Sequence, residues 1–176
     1  MSFADVPPAD PYVAADRAPS FWQRYPAGVV AAIVGGFTVL LTVLAFPPFH
    51  TPELAYAMLA PATLWAYRRP GLKLFGWTMA IAQAVAWTIL LGWLHKVTWV
   101  GLFLLGPLTG VWTGSWYLVA WWAMPRLIGK ETPVRLLALL GLAAAWVVIE
   151  WTRSWLLGGF PWLPLAASQW ERGSLL

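Results

Sequence analysis

Five apolar runs, set off by proline, glycine and charge, make up most of this chain: about Gly28–Phe46, Leu54–Tyr67, Leu74–Leu94, Trp99–Met124 and Val134–Leu157. A hydrocarbon core about 30 Å thick takes roughly 20 helical residues to cross. Four of the runs are long enough. The second is about 14 residues with Pro61 inside it, and on length alone it could be a re-entrant or interfacial segment. Composition places the chain in the same class. It is 60% hydrophobic and 10% charged, against roughly 45–50% apolar and 25% charged in soluble domains. The expected fold is all-α, a polytopic membrane bundle of five transmembrane helices.

Charge decides how the second run is read. If all five runs cross and the N-terminus is inside, Arg17, Arg24, Arg68, Arg69, Lys73, Arg126, Lys130 and Arg135 are cytoplasmic and Lys96, Arg153 and Arg172 are external, eight against three. That obeys the positive-inside rule. If the second run does not cross, the split becomes five inside and six outside, which does not. The five-crossing topology is therefore expected, with the Phe46-Pro47-Pro48-Phe49-His50 loop, the His95-Lys96 loop and the Gly158–Trp162 loop on one external face.

Residues 1–25 are rich in Pro, Ala and Asp without apolar periodicity and read as a disordered cytoplasmic tail; residues 26–176 form the transmembrane domain. Asp5, Asp10 and Asp16 precede any apolar core, so no cleaved signal is expected. The net charge of +4 comes with no basic face or base-stacking module, and reads as topology rather than nucleic-acid binding. The 15 tryptophans favour the headgroup level. There is no cysteine, which excludes a disulfide framework, a thiolate metal site and a cysteine nucleophile. His50 and His95 without carboxylate or cysteine company do not make a metal site, and no cofactor is implied. Neither histidine stands in a His-x-x-x-x-Asp pattern. Acyl transfer needs an activated nucleophile or base and oxyanion stabilisation, and the chain shows no evident catalytic centre.

Within the fourth run, Gly106, Gly110 and Gly114 recur every fourth residue. They stack bare patches on one helix face, as a packing seam or as room for a lipid chain. Gln83, mid-way in the third run, reads as an interhelical hydrogen-bonding residue. Glu150 and Arg153 lie three apart near the end of the fifth run, so they share a helix face and can pair. The pair is either a structural anchor or a group that orders the following loop or meets a lipid headgroup, since guanidinium suits phosphate. Beyond it, Gly158-Gly159 followed by Phe160-Pro161-Trp162 is a helix stop with two large rings, an interfacial plug or a site.

Read as one stretch, Glu150, Arg153, Gly159, Phe160, Pro161, Trp162, Leu163, Ser168 and Gln169 resemble the end of the fifth membrane helix and the following loop of bacterial apolipoprotein N-acyltransferases. That pattern runs roughly Glu-x-x-Arg-Gly-x-x-x-x-Gly-Phe-Pro-Trp-Leu, with Gly-Tyr-Ser-Gln further on. Here Ser154 replaces the usual Gly, and Ala166 and Ala167 stand where Gly-Tyr is commoner. The resemblance implies a helical membrane bundle of the bacterial inner membrane carrying a nitrilase-like domain. A Cys of that domain, assisted by a Glu and a Lys, takes an acyl chain from a phospholipid donor and passes it to the lipidated N-terminal cysteine of a lipoprotein acceptor. The chain resembles only the first part of that arrangement, as an N-terminal fragment would, and lacks all three positions. Its implied work is anchoring and admitting lipid. A small membrane transporter or channel, and a non-catalytic assembly factor, are the alternatives.

Overall fold

The computed structural model describes residues 25–49, 51–156, 159 and 162–169. The chain divides into two compact units, residues 1–30 and 31–176. In the first, the N–H groups of Val29 and Val30 bond back to Pro26 O and open α1 (Ala27–Ala45), which continues into the second. The expected tail lies almost wholly outside the described residues, as do His50, Leu157, Gly158, Phe160, Pro161 and Arg172.

Along the second unit follow α2 (Ala60–Ala66), α3 (Leu72–Leu90), α4 (Trp99–Ala123) and α5 (Thr132–Arg153), joined in places by single 3-10 turns, and no strand occurs among the described residues. α1, α3, α4 with its 3-10 extension to Leu127, and α5 are long and apolar enough to cross a membrane. Their punctuation follows the sequence. Thr98 caps α4 by accepting from Gly101 N, and Pro133 occupies the first turn of α5, where a missing N–H costs nothing. The third and fifth helices stop at Leu90 and Arg153, a few residues before the expected ends; Gly92–Lys96 forms a separate 3-10 turn.

The second run differs from the expected continuous helix. It folds as a 3-10 turn, Pro52–Tyr56, and the seven-residue α2, with Pro61 in the first turn of α2 rather than interrupting it. Its path nevertheless covers the length of the bundle, because α1 and α3 run parallel. A Cβ on Gly35 would meet Thr78 Cγ2 at 3.1 Å, Gln83 Nε2 donates to Thr42 Oγ1 at 3.3 Å, and the Phe46 and Trp87 rings are 6.0 Å apart. Residues 46 to 72 must then return from the end where α3 finishes to the end where it starts. Met58 packs at the first end with Phe46, Trp87 and Leu91. At the other, Trp65 lies 5.2 Å from Phe75 and Trp121 Nε1 donates to Pro70 O at 2.8 Å.

α3 and α4 are antiparallel and meet along the glycine row. A Cβ on Gly110 would lie 2.6 Å from Ala84 Cα and closer still to Gln83 O, one on Gly106 would lie 2.8 Å from Thr88 Cα, and one on Gly114 3.3 Å from Gln83 Cβ. At Gly106 and Gly110 helix backbone therefore touches helix backbone, which only a residue without a side chain allows. Gln83 Nε2, beside this seam, also donates to Tyr117 OH at 3.4 Å, tying α1, α3 and α4 around one amide. α5 joins the bundle differently. Leu142 and Arg153 are its buried residues, and two indoles of α4 reach across to its carbonyls, Trp116 Nε1 to Leu142 O at 2.8 Å and Trp112 Nε1 to Ile149 O at 3.3 Å. The tryptophans thus do more than mark the headgroup level, since Trp65, Trp87 and Trp116 are buried.

Candidate functional site

α5 ends under a loop that its own last turn holds in place. Thr152 and Ser154 return their hydroxyls to Ile149 O and Trp151 O, and Gly159 N donates to Leu156 O at 3.0 Å. Gly159 has φ +74°, and a Cβ there would strike Ser154 O. Glycine at this point is therefore a steric requirement.

Past that turn the loop runs back over the end of the bundle. Glu150 Oε1 accepts from Leu165 N at 2.6 Å, so the carboxylate takes up a free donor at the start of the 3-10 turn Leu165–Gln169, a charge-assisted bond stronger than a neutral one. Arg153 Nη2 donates to Leu163 O at 3.4 Å, and Leu163 itself sits at φ +51°, a conformation a leucine adopts only when its surroundings enforce it. The Arg153 guanidinium also lies 4.7 Å from the Trp87 ring centroid of α3, a cation–π contact in a desolvated setting. The two charged side chains share a face, as their spacing requires, and each also bonds the loop. Arg153 is 6% exposed, and its Nε and Nη1 are buried without a hydrogen-bond partner.

Two further ties close the loop. Gln169 Nε2 donates to Pro52 O at 2.9 Å and to Ser168 Oγ at 3.1 Å, joining positions 117 apart in the chain. Trp162, half exposed, packs its ring 5.3 Å from Trp93 in the 3-10 turn after α3. Beneath lie Phe46, Met58, Trp87, Leu91 and Leu94. His95 faces Gly92 O and lies with its ring tilted 5.4 Å from that of Trp99. One end of the bundle therefore gathers Phe46, the 3-10 turns at 52 and 92, and the loop at 162–169. His50, Phe160 and Pro161 lie outside the described residues. Among the described residues no group of three His, Cys, Asp or Glu could hold a metal.

Chemically the arrangement positions a loop: a carboxylate and a guanidinium hold backbone, and the Trp87 ring lies against the guanidinium. Sequence reasoning missed Trp87 and Trp93, which stand in no motif and become partners only through packing. It also missed the carbonyl of Pro52, because a backbone group carries no residue signature.

Helices of this length and hydropathy, with a buried arginine and a half-buried glutamate at one end under a pinned loop, define the chain as a multi-pass membrane domain. Residues 38–176 match the apolipoprotein N-acyltransferase N-terminal domain. Similar proteins named apolipoprotein N-acyltransferase come from Methylococcus capsulatus, 31% identical over 82% of this chain and 29% of that protein, and from Vibrio vulnificus, 30% identical over 85% of this chain and 30% of that protein. A third, from Vibrio parahaemolyticus, is 32% identical over 84% of this chain and 29% of that protein. The chain belongs to the apolipoprotein N-acyltransferase family, through its N-terminal domain. It spans less than a third of the length of these curated relatives. No solved structure matches it.

Proposed function

We propose that this chain is the membrane scaffold of an apolipoprotein N-acyltransferase of the bacterial inner membrane, with the N-terminus inside and five crossings. In that reading the acyl chain leaves an ester of a phospholipid and ends as an amide on the N-terminal lipidated cysteine of a lipoprotein, by chemistry that residues outside this chain perform. The scaffold's part is to anchor the catalytic region and to hold the loop at the lipid entrance. The observation that carries it is the pinning of the family's loop pattern, with Glu150, Arg153 and Gln169 each bonding loop backbone or a second turn. The buried hydroxyls support a scaffold over a transport path, because Thr38 and Thr113 return theirs to carbonyls of their own helices.

Three tests address this reading. The chain in liposomes with phospholipid and a diacylated lipopeptide is expected to transfer nothing, having no cysteine; a time-dependent gain of one acyl chain by mass spectrometry, absent after heat treatment, contradicts it. In a full-length relative with the same motif, Trp162→Ala is expected to leave folded yield intact and slow acyl transfer, since an exposed ring contributes contact more than core packing. For topology, single cysteines at Thr51 and Val97 are expected to react with an impermeant thiol reagent from outside, and those at Gly71 and Lys130 to be spared. External labelling at Gly71 removes the second crossing.

A further inference from the structure

The end of the bundle opposite the loop carries a second set of charges with a different geometry. Pro70 disfavours the right-handed helical conformation for the residue before it, and Arg69 turns to φ +52° while its N–H closes on Ala66 O at 3.0 Å. Pro70 O is then fixed by Trp121 Nε1 of α4 at 2.8 Å. This brings Arg69 to a pocket of about 300 Å³ lined also by Trp121, Pro125 and Arg126. Arg126 rises from the 3-10 turn Met124–Leu127, bonds Trp122 O and lies 4.3 Å from the Trp122 ring centroid. The carbonyl end of α4 and the ring hold it there. Arg69 has no side-chain partner among the described residues. Among the described residues no acid lines the pocket; of the described acids, Glu131 lies beyond it in the α4–α5 connection, and Glu53 and Glu150 belong to the opposite end.

Two guanidinium groups on one small pocket, with no acid among its described lining residues to offset them, repel each other until an anion arrives. We propose that the Arg69–Arg126 pocket binds the phosphate of an anionic phospholipid headgroup. Lipid is the source the position favours. The pocket opens at the end of a membrane-crossing helix, beside Trp121 and Trp122 at the level amphipathic rings prefer, and Lys73, Lys130 and Arg135 stand at the same end of their helices and turn. Basic pockets between membrane helices on a positively charged side bind acidic headgroups in this way, and the planar arginine fork matches phosphate.

The test is native mass spectrometry of the purified chain in detergent, titrated in parallel with phosphatidylglycerol, phosphatidylcholine and inorganic phosphate. A one-to-one phosphatidylglycerol adduct is expected, with little phosphatidylcholine retained. The double variant Arg69→Gln, Arg126→Gln should weaken it about thirtyfold, roughly fivefold per arginine, and Lys130→Gln, which does not line the pocket, should weaken it clearly less than either arginine change. Both arginines are exposed, so folding should survive; a monodisperse elution profile checks this. If the Gln pair does not stay monodisperse, Arg69→Lys with Arg126→Lys keeps both charges and removes the forks, and about a threefold to tenfold loss is expected. Undiminished binding in either pair overturns the proposal. So does an equal loss in Lys130→Gln, which would mean diffuse charge, or tighter retention of inorganic phosphate than of the lipid, which would make the source a free anion.

Discussion

The α3–α4 pair and α5 are attached to the same bundle by opposite means. Between α3 and α4 the glycine row lets backbone meet backbone, with Gly110 seated on Gln83 and Ala84, so contact is continuous and rigid. α5 exposes Leu136, Leu137, Leu140, Val147 and Val148 and is held by indole donors and by the loop that Glu150 and Arg153 secure. In a bilayer the exposed leucines and valines incur no penalty, because lipid tails are as apolar as a helix neighbour. Discrete polar ties can therefore fix a helix that packing leaves half free. A seam of that kind should fail as a whole, and a set of ties one at a time.

The largest effect should come from breaking the seam. Gly110→Leu places a side chain where even a Cβ has no room, and folded yield in detergent is expected to collapse. Gly110→Ala should cost about 1–3 kcal/mol, the range for overpacking, read as a lowered thermal midpoint. Gly141→Ala in α5, where a Cβ meets nothing within 4 Å, should be neutral to slightly stabilising because alanine is the better helix former. Equal tolerance at Gly110 and Gly141 would erase the contrast.

A smaller effect is expected from cutting one tie of α5. Trp116→Phe keeps most of the buried ring and deletes the donor to Leu142 O, leaving that carbonyl short of a partner at about 0.5–1.5 kcal/mol. Trp112→Phe, whose bond is longer at 3.3 Å, should cost less. A double variant costing much more than the sum of the two would show that α5 is held as a unit and not by separate ties.

Much of this was legible in the sequence, for reasons that differ by region. Apolar run length marks the helices because lipid imposes it, and the four-residue glycine spacing marks the α4 face because that spacing is helical. The opposing face cannot be read, since Gln83, Ala84 and Thr88 become neighbours only through the fold. Pro61 is visible as a break, but not as the start of a second piece. Glu150 and Arg153 are visible as charges needing compensation. Their three-residue spacing suggests mutual pairing, and to that the structure adds Leu165 N, Leu163 O and the Trp87 face. Backbone groups of a later loop leave no mark in the residue pattern.

The central claim, that the charged side chains at the end of α5 hold the loop by its backbone, is tested most directly at one amide. Hydrogen exchange at Leu165, whose N–H is bound by Glu150 Oε1 at 2.6 Å, should be slow in the wild-type chain in nanodiscs. Glu150→Gln keeps an acceptor oxygen and should retain most of the protection. Glu150→Ala removes it and, for a bond to a charged group at about 1.5–3 kcal/mol, should speed exchange by about tenfold to a hundredfold while the α3–α4 seam stays protected. Unchanged exchange at Leu165 in Glu150→Ala would contradict the account.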